Sequence, residues 1–215
     1  MNLKNKKQLE KYFEKYKLQK FKKGEIIFRP GDEFPGICYI KSGYVRLYTV
    51  GKDGQEVTIQ LFKPVFYLSL IKILSKFESK YFFEAITPVE MWIAPKEEAM
   101  NFLKGDKELV DEITKDVLSG FMNLISDIEY LISGNAYTKV ARVIHSLASR
   151  HGESKGSELV VKFNTPHRVI ASMTGLTRET VTLQILKLEK EKIVNNKGKI
   201  LYVKNLKKLE EAAQI

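Results

Sequence analysis

TPHRVIASMTGLTRETVTLQILKLEKEKIV, residues Thr165–Val194, holds two short helical segments bent about a glycine. Thr165 offers a side-chain oxygen to the unpaired N–H groups of a helix start, and Pro166 follows where a missing N–H costs nothing. Ile170 and Ala171 supply a buried face, and Gly175 tolerates the positive φ of a sharp turn. Thr177 then caps a second helix, at about residues 177–191, whose Val181, Ile185 and Leu188 recur at helical spacing. Helices crossing this closely need a small residue at the contact, Ala171, and an apolar one to close the shared core, Val181. The pattern is that of a helix-turn-helix. Lys192-Ile193-Val194 and Ile200-Leu201-Tyr202-Val203 follow as β-prone runs joined by Asn195-Asn196-Lys197-Gly198-Lys199, a turn whose Asn and Gly residues suit a tight hairpin. Such a hairpin is a wing. It predicts a second helix shaped for the major groove and a basic tip reaching the adjoining phosphates.

Charge supports that reading. Residues 137–215 carry 15 Lys and Arg against 7 Asp and Glu, whereas residues 1–136 carry 21 against 19, so most of the net +10 lies in the C-terminal third. Concentrated positive charge around a helix-turn-helix is the electrostatic footprint of phosphate-backbone binding. At 44% hydrophobic and 29% charged residues the chain has an ordinary globular composition. Its longest apolar stretch, Val65–Ile71, is far too short to span a bilayer, and no leader pattern opens the sequence, which predicts a cytoplasmic protein. The single cysteine, Cys38, excludes an intramolecular disulfide and cannot alone hold an iron–sulfur cluster. No Ser/His/Asp set, metal-spaced cluster or P-loop points to an enzyme.

Outward from the motif, the chain divides into three stretches. From Leu18 to Ile93, short apolar runs at Ile26–Phe28, Ile37–Ile40, Val45–Val50 and Val57–Phe62 are separated by Gly31-Asp32, Ser42-Gly43 and Lys52-Asp53-Gly54. Turns about every ten residues between β-rich runs predict an antiparallel β-roll, preceded by a short amphipathic helix over Lys6–Tyr16. After Pro95 the period becomes helical. Val110, Ile113, Val117, Phe121, Leu124, Ile128 and Leu131 form one apolar line, with Leu118, Met122, Ile125 and Ile132 beside it. Two lines on one long helix suit a seam between two copies, or burial within one chain; the two half-sites of a DNA reader favour the seam. Ser133-Gly134-Asn135 breaks the helix, Ala136–His151 reads as another helix, 152–157 as a loop and Glu158–Phe163 as a strand. The expected division is a β-roll sensor domain at 1–105, a dimerisation helix and hinge at 106–134, and a winged helix-turn-helix domain at 135–215.

Phe21-Lys22-Lys23-Gly24-Glu25-Ile26-Ile27 with Gly31-Asp32, then Tyr39-Ile40-Lys41-Ser42-Gly43-Tyr44-Val45, resembles the β-roll signature of the Crp/Fnr family of bacterial transcription factors. Ala85–Glu90 is similar to the segment closing that roll, and Ile170–Leu188 to the family's DNA-binding motif, so the resemblance covers nearly the whole chain. It implies an α+β protein: an N-terminal cyclic-nucleotide-binding-like β-roll (a double-stranded β-helix or jelly roll), a long dimerisation helix and a C-terminal winged helix-turn-helix. It also implies a homodimer on a palindromic DNA operator, with RNA polymerase as a partner. Arg178-Glu179-Thr180-Val181 matches the start of the family's recognition helix. Arg is the best bidentate donor to guanine O6 and N7, and Glu accepts from cytosine N4, which makes Arg178 and Glu179 the candidate base readers.

Thr177, Thr180, Thr182, Gln184, Lys187, Lys197 and Lys199 complete the candidate DNA-contact set. Where the family often has Ser-Arg or Gly-Arg this chain has Thr182-Leu183, so Leu183 faces either a thymine methyl or nothing but solvent. The sensory half departs further. Phe62-Lys63-Pro64-Val65-Phe66 lacks the family's Gly-Glu pair and Ser79-Lys80 stands about where its arginine pair would be, which argues against a cyclic nucleotide. Phe62, Phe66, Tyr67, Lys80, Tyr81, Phe82 and Phe83 either line a pocket for another small molecule or form core. All three histidines, His145, His151 and His167, lie in the C-terminal third, so neither haem, metal nor another cofactor is expected. The alternative function is a cyclic-nucleotide-type module that regulates a partner protein.

Overall fold

In this computed structural model residues 3–69, 80–156, 158–161, 166–197 and 200–215 are described. They form two compact units, Met1–Thr49 with Ile59–Asn123, and Val50–Thr58 with Leu124–Ile215.

The first unit is built on a sheet buried on both faces. Its elements are α1 (Leu3–Phe13), β1 (Leu18–Phe21), β2 (Ile26–Phe28), β3 (Ile37–Ser42), β4 (Val45–Val50) up to Thr49, β5 (Glu56–Phe62) from Ile59, β6 (Phe82–Ala85), β7 (Val89–Ala94), α2 (Lys96–Lys104) and the start of α3 (Lys107–Ser133). One sheet runs β1-β7-β3 and the other β2-β6-β4-β5. Because side chains alternate along a strand, Ile37 and Tyr39 of β3 join one core with Trp92 and Ala94 of β7, while Cys38 and Ile40 join a second with Val89 and Met91. The second core lies inside the roll with Phe28, Phe62 and Phe83; the first is closed by Leu9 and Phe13 of α1, Ala99 and Leu103 of α2, and Leu109 and Ile113 of α3. A strand covered on both sides reads as a continuous apolar run, which is why Ile37–Ile40 has no polar member. Gly43 has φ +86° and a Cβ there would meet the Pro88 carbonyl oxygen at 2.1 Å, so the tight β3–β4 connection admits no side chain.

Expected strand positions agree closely with those found, and the N-terminal helix lies three residues earlier than its pattern suggested. Its apolar Tyr12 and Tyr16 belong to a packed aromatic end: Tyr12 stacks on Phe102 at 3.8 Å, and the Tyr16 hydroxyl, beyond the last helical residue, donates to Glu98 at 2.7 Å.

The second unit contains α4 (Ala136–His151), β8 (Gly152–Lys155), β9 (Glu158–Val161), α5 (His167–Thr174), α6 (Arg178–Lys190), β10 (Val194–Lys197), β11 (Ile200–Val203) and α7 (Leu206–Ala213), with the sheet ordered β10-β11-β9-β8. The Asn135 side chain accepts the Thr138 N–H at 3.0 Å, so the break at Ser133-Gly134-Asn135 ends one helix and caps the next. Val140, Ile144 and Leu147 of α4, Ile170 of α5, Val181 and Leu188 of α6, Leu201 and Val203 of β11, and Leu209 of α7 are buried. Residues 152–155, expected as loop, are strand. Gly-Glu-Ser-Lys carries no apolar alternation, and its ladder comes from β9, with Glu153 opposite Val160. Residues 162–165, including the end of the expected strand at Phe163 and the Thr165 cap, lie outside the described residues. Among the described residues no helix is long and apolar enough to cross a membrane.

Candidate nucleic-acid interface

The helix pair forms as its sequence predicts at the turn and differs at its start. Gly175 closes α5 with φ +68°, the left-handed conformation that favours glycine, and nothing would oppose a Cβ there, so backbone geometry rather than space selects it. Ala171 and Val181 are buried at the crossing. Pro166, expected as the first helical residue, instead occupies the N-cap position of α5 without a side-chain cap bond, since its ring has no acceptor to offer. Thr177 caps α6 as expected: its Oγ1 accepts the Thr180 N–H at 3.2 Å.

Val181, Ile185 and Leu188 face the core, which turns Glu179, Leu183, Leu186 and Lys190 to the opposite side of α6. Arg178 and Glu179 are both exposed at its first turn. Leu183 is 63% exposed and Leu186 54%, an apolar pair on a helix face that otherwise carries charge. Thr180 and Gln184 are half-buried along one flank. Lys187 places its ammonium 4.4 Å from the centre of the Tyr137 ring, whose hydroxyl bonds Glu191, so its cation is held at the C-terminal half of α6. Thr182 differs from the rest of the expected contact set. Its hydroxyl donates to the Arg178 carbonyl at 2.8 Å and its oxygen lies 2.8 Å from His167 Nδ1. Lys197 ends β10, and Lys199 lies outside the described residues.

His167 was legible only as part of a helix start. In the structure its Nε2 lies 3.2 Å from Asn196 Nδ2 on β10, and the Asn196 N–H donates to Glu189 at 2.7 Å. No sequence spacing signals such a junction, because its three side chains come from α5, α6 and the wing.

Comparison with known proteins follows the same division. Residues 18–106 match the cyclic nucleotide-binding domain family and residues 138–212 the Crp-like helix-turn-helix domain family. The chain belongs to the Crp/Fnr family of transcriptional regulators. It is 26% identical over 180 residues to the global nitrogen regulator of Nostoc sp., covering 83% of this chain and 81% of that one. With the transcriptional regulator SdrP of Thermus thermophilus it shares 27% over 198 residues, 89% and 93% of the two chains. A crystal structure of a CRP/FNR-family transcriptional regulator from Thermus thermophilus superposes with a TM-score of 0.71 at 24% identity, covering 93% of this chain and 99% of that one. These relatives are regulators, not enzymes.

Within this Crp/Fnr chain the aromatic residues of the sensory half separate into two cores. Phe62 and Phe83 are buried inside the roll, with Phe66 stacked on Phe62 at 4.5 Å. Tyr67 belongs to the other core, beside Tyr39 and 6.0 Å from it between ring centres. Phe82 stacks on Tyr48 at 5.1 Å, Tyr81 is half-buried, Lys80 is exposed and Ser79 lies outside the described residues. Among the described residues of the roll Arg46 is a fully buried cation, 3.0 Å from the Glu84 carboxylate across the β4–β6 ladder and 4.2 Å from the centre of the Tyr48 ring. Cys38 is buried, and loss of hydration pushes its thiol up to about 12. Val65 has φ +70°, a strained position for a β-branched residue.

The long helix separates into a buried start and an exposed remainder. Leu109 and Ile113 are buried, whereas Val110, Val117, Leu118, Phe121, Met122, Leu124, Ile125, Ile128, Leu131 and Ile132 are between 37% and 80% exposed.

Proposed function

We propose that this regulator acts as a homodimer on a palindromic operator, with Arg178 and Glu179 of α6 reading base edges in the major groove. One observation carries the reading: both side chains stand exposed at the first turn of a helix whose other face is locked into the core by Val181, Ile185 and Leu188. Thr177, Thr180, Lys187, Lys197 and Lys199 are placed along the phosphates in this reading, which the excess of positive charge in residues 137–215 supports, and Gln184 either pairs with an adenine or covers the helix. The exposed apolar face of α3 supports the two-fold assembly, since so many large apolar side chains on one helix need a partner surface.

In this reading residues 1–105 are the sensor, 106–134 the dimerisation helix and hinge, and 135–215 the DNA reader, in a cytoplasmic protein that works with RNA polymerase. The sensor takes a small molecule other than a cyclic nucleotide, or works without one. The buried guanidinium of Arg46 already faces Glu84, and Phe62 and Phe83 belong to the roll's core with Phe66 packed against it. An effector would act by shifting the orientation of the two DNA readers through the break at Gly134. The test is selection of genomic fragments by the purified chain with and without cell metabolites, followed by footprinting at low salt. Protection of an inverted repeat is expected. No protected site, or protection of a single half-site by a monomer, would refute the proposal.

A further inference from the structure

We infer that His167 is a positioning residue: as a neutral imidazole it ties the recognition helix to the wing, so that both meet DNA in one fixed relation. The inference rests on the DNA-reading role proposed above and adds the device that holds the two reading elements together.

The hydrogen-bond inventory fixes the form of the ring. The Thr182 hydroxyl spends its proton on the Arg178 carbonyl at 2.8 Å, which leaves its oxygen as an acceptor toward His167 Nδ1, also at 2.8 Å. Nδ1 must therefore carry a proton. On the far side, Nε2 accepts from the Asn196 amide at 3.2 Å and so must be bare. A neutral Nδ1–H imidazole satisfies all three bonds at once. The doubly protonated ring would set an N–H against the N–H of Asn196, breaking the link to β10 unless that amide turns over. Asn196 is itself anchored, its backbone N–H donating to Glu189 of α6 at 2.7 Å.

The surroundings favour the neutral form. Partial burial lowers the basicity of His167, the Arg178 guanidinium on α6 lowers it further, and the Glu189 carboxylate on the same helix acts the other way without overcoming them. From β10 the facing group is the uncharged Asn196 amide. Folded basicity below the ordinary histidine value means that the brace is intact at neutral pH and is lost as acid protonates the ring. Arg178, the proposed guanine reader, is thus linked by one hydroxyl and one ring to the wing.

The competing role for a histidine at a helix start facing DNA is that of a cation on a phosphate, and the two predict opposite behaviour. The test uses the full chain, an operator fragment from the genomic selection, and 15N spectroscopy of the imidazoles. A brace shows the Nδ1–H tautomer, a pKa below that of free histidine, and binding that weakens as pH falls through it. His167→Asn, which keeps one N–H donor and cannot titrate, binds about five- to tenfold more weakly at pH 7.5, loses this pH dependence and keeps the same salt slope. Asn196→Ala gives a similar loss, and adding it to His167→Asn costs little more. An Nε2–H tautomer would overturn the inference. So would binding that strengthens in acid together with a salt slope smaller by about one in His167→Asn, the signature of a phosphate contact. If no DNA is bound at any pH, the preceding proposal fails instead, and the tautomer alone still decides the form of the ring.

Discussion

If the chain assembles as the homodimer proposed above, replacing Phe121 by Glu should give a folded monomer. Phe121 is 58% exposed in the single chain, near the middle of the apolar face of α3. Fully burying a phenylalanine contributes about 1.5 to 3 kcal/mol, so covering the exposed part contributes about 1 to 2 kcal/mol per protomer. A two-fold seam counts each change twice, which removes roughly 2 to 4 kcal/mol before the carboxylates are considered. Placing two carboxylates against apolar side chains adds several kcal/mol more, the cost of taking each charge out of water. A total above about 4 kcal/mol raises the dimer dissociation constant at least about a thousandfold. Sedimentation velocity at micromolar concentration should then show one species near 25 kDa with an unchanged far-UV spectrum. Leu124→Glu should behave alike. Ile113→Glu is the counter-case: at 8% exposure it sits in the core with Leu9 and Leu109, so the carboxylate should unfold the first unit rather than split a dimer. Unchanged dimers for Phe121→Glu, or unfolding as severe as that of Ile113→Glu, would refute this division of the helix.

Four further outcomes follow from the same geometry. Arg178→Ala should cost about 1 to 3 kcal/mol on the operator and relax discrimination at one base step, whereas Lys199→Ala should weaken specific and random duplexes alike; gel titration against both duplexes checks this, and equal losses in all four pairings would contradict base reading. If Leu183 meets a thymine methyl, replacing single thymines of the operator by uracil should cost wild type a few-fold at one position and cost Leu183→Ala nothing there. Lys192, at φ +59° just past α6, lets the Ile193 N–H reach the Leu188 carbonyl at 3.0 Å; Lys192→Gly should stabilise by about 0.5 to 1 kcal/mol in urea melts, and a loss would refute the strain. The raised Cys38 thiol stays neutral when folded, so its contribution to stability is complete below about pH 9 and is lost as pH climbs toward 12; a thiol reagent at pH 8 should label it only as fast as the chain unfolds, and immediate labelling would refute the burial.

Local rules made much of the architecture legible. Gly175, Ala171, Val181 and Thr177 specify the helix pair through turn conformation, close approach and capping, all properties of residues within a dozen positions of one another. The long helix was equally plain, yet Ile113 and Phe121 stand on one periodic line and only the fold separates them. The first turns of α3 pack beneath Leu9 of α1, and the later ones leave Phe121, Met122 and Ile132 largely exposed. Periodicity reports which side chains share a face, not what covers it. The same limit hid β8, whose hydrogen bonds belong to β9, and α7, though Asn205 followed by Leu206, Leu209 and Ala213 carries the cap and spacing that mark a helix.

Among the reading residues the hidden information is of a different kind. Thr182 looks, by position, like a contact to DNA, and His167 like the opening of a helix, but each satisfies the other and neither has its observed role alone. Thr182→Val would keep the shape of the side chain and strip both the donor to the Arg178 carbonyl and the acceptor for Nδ1. His167 would then be free to take the opposite tautomer and the wing would lose its fixed relation to α6. Thr182 is therefore coupled to a histidine fifteen residues away. Exchanging Thr182-Leu183 for Ser-Arg would supply a guanidinium on the groove side and keep a hydroxyl for the brace, so such a chain should change its base preference while His167 retains its tautomer. Loss of that tautomer in the exchanged chain would mean that the threonine methyl, and not its hydroxyl, holds the junction.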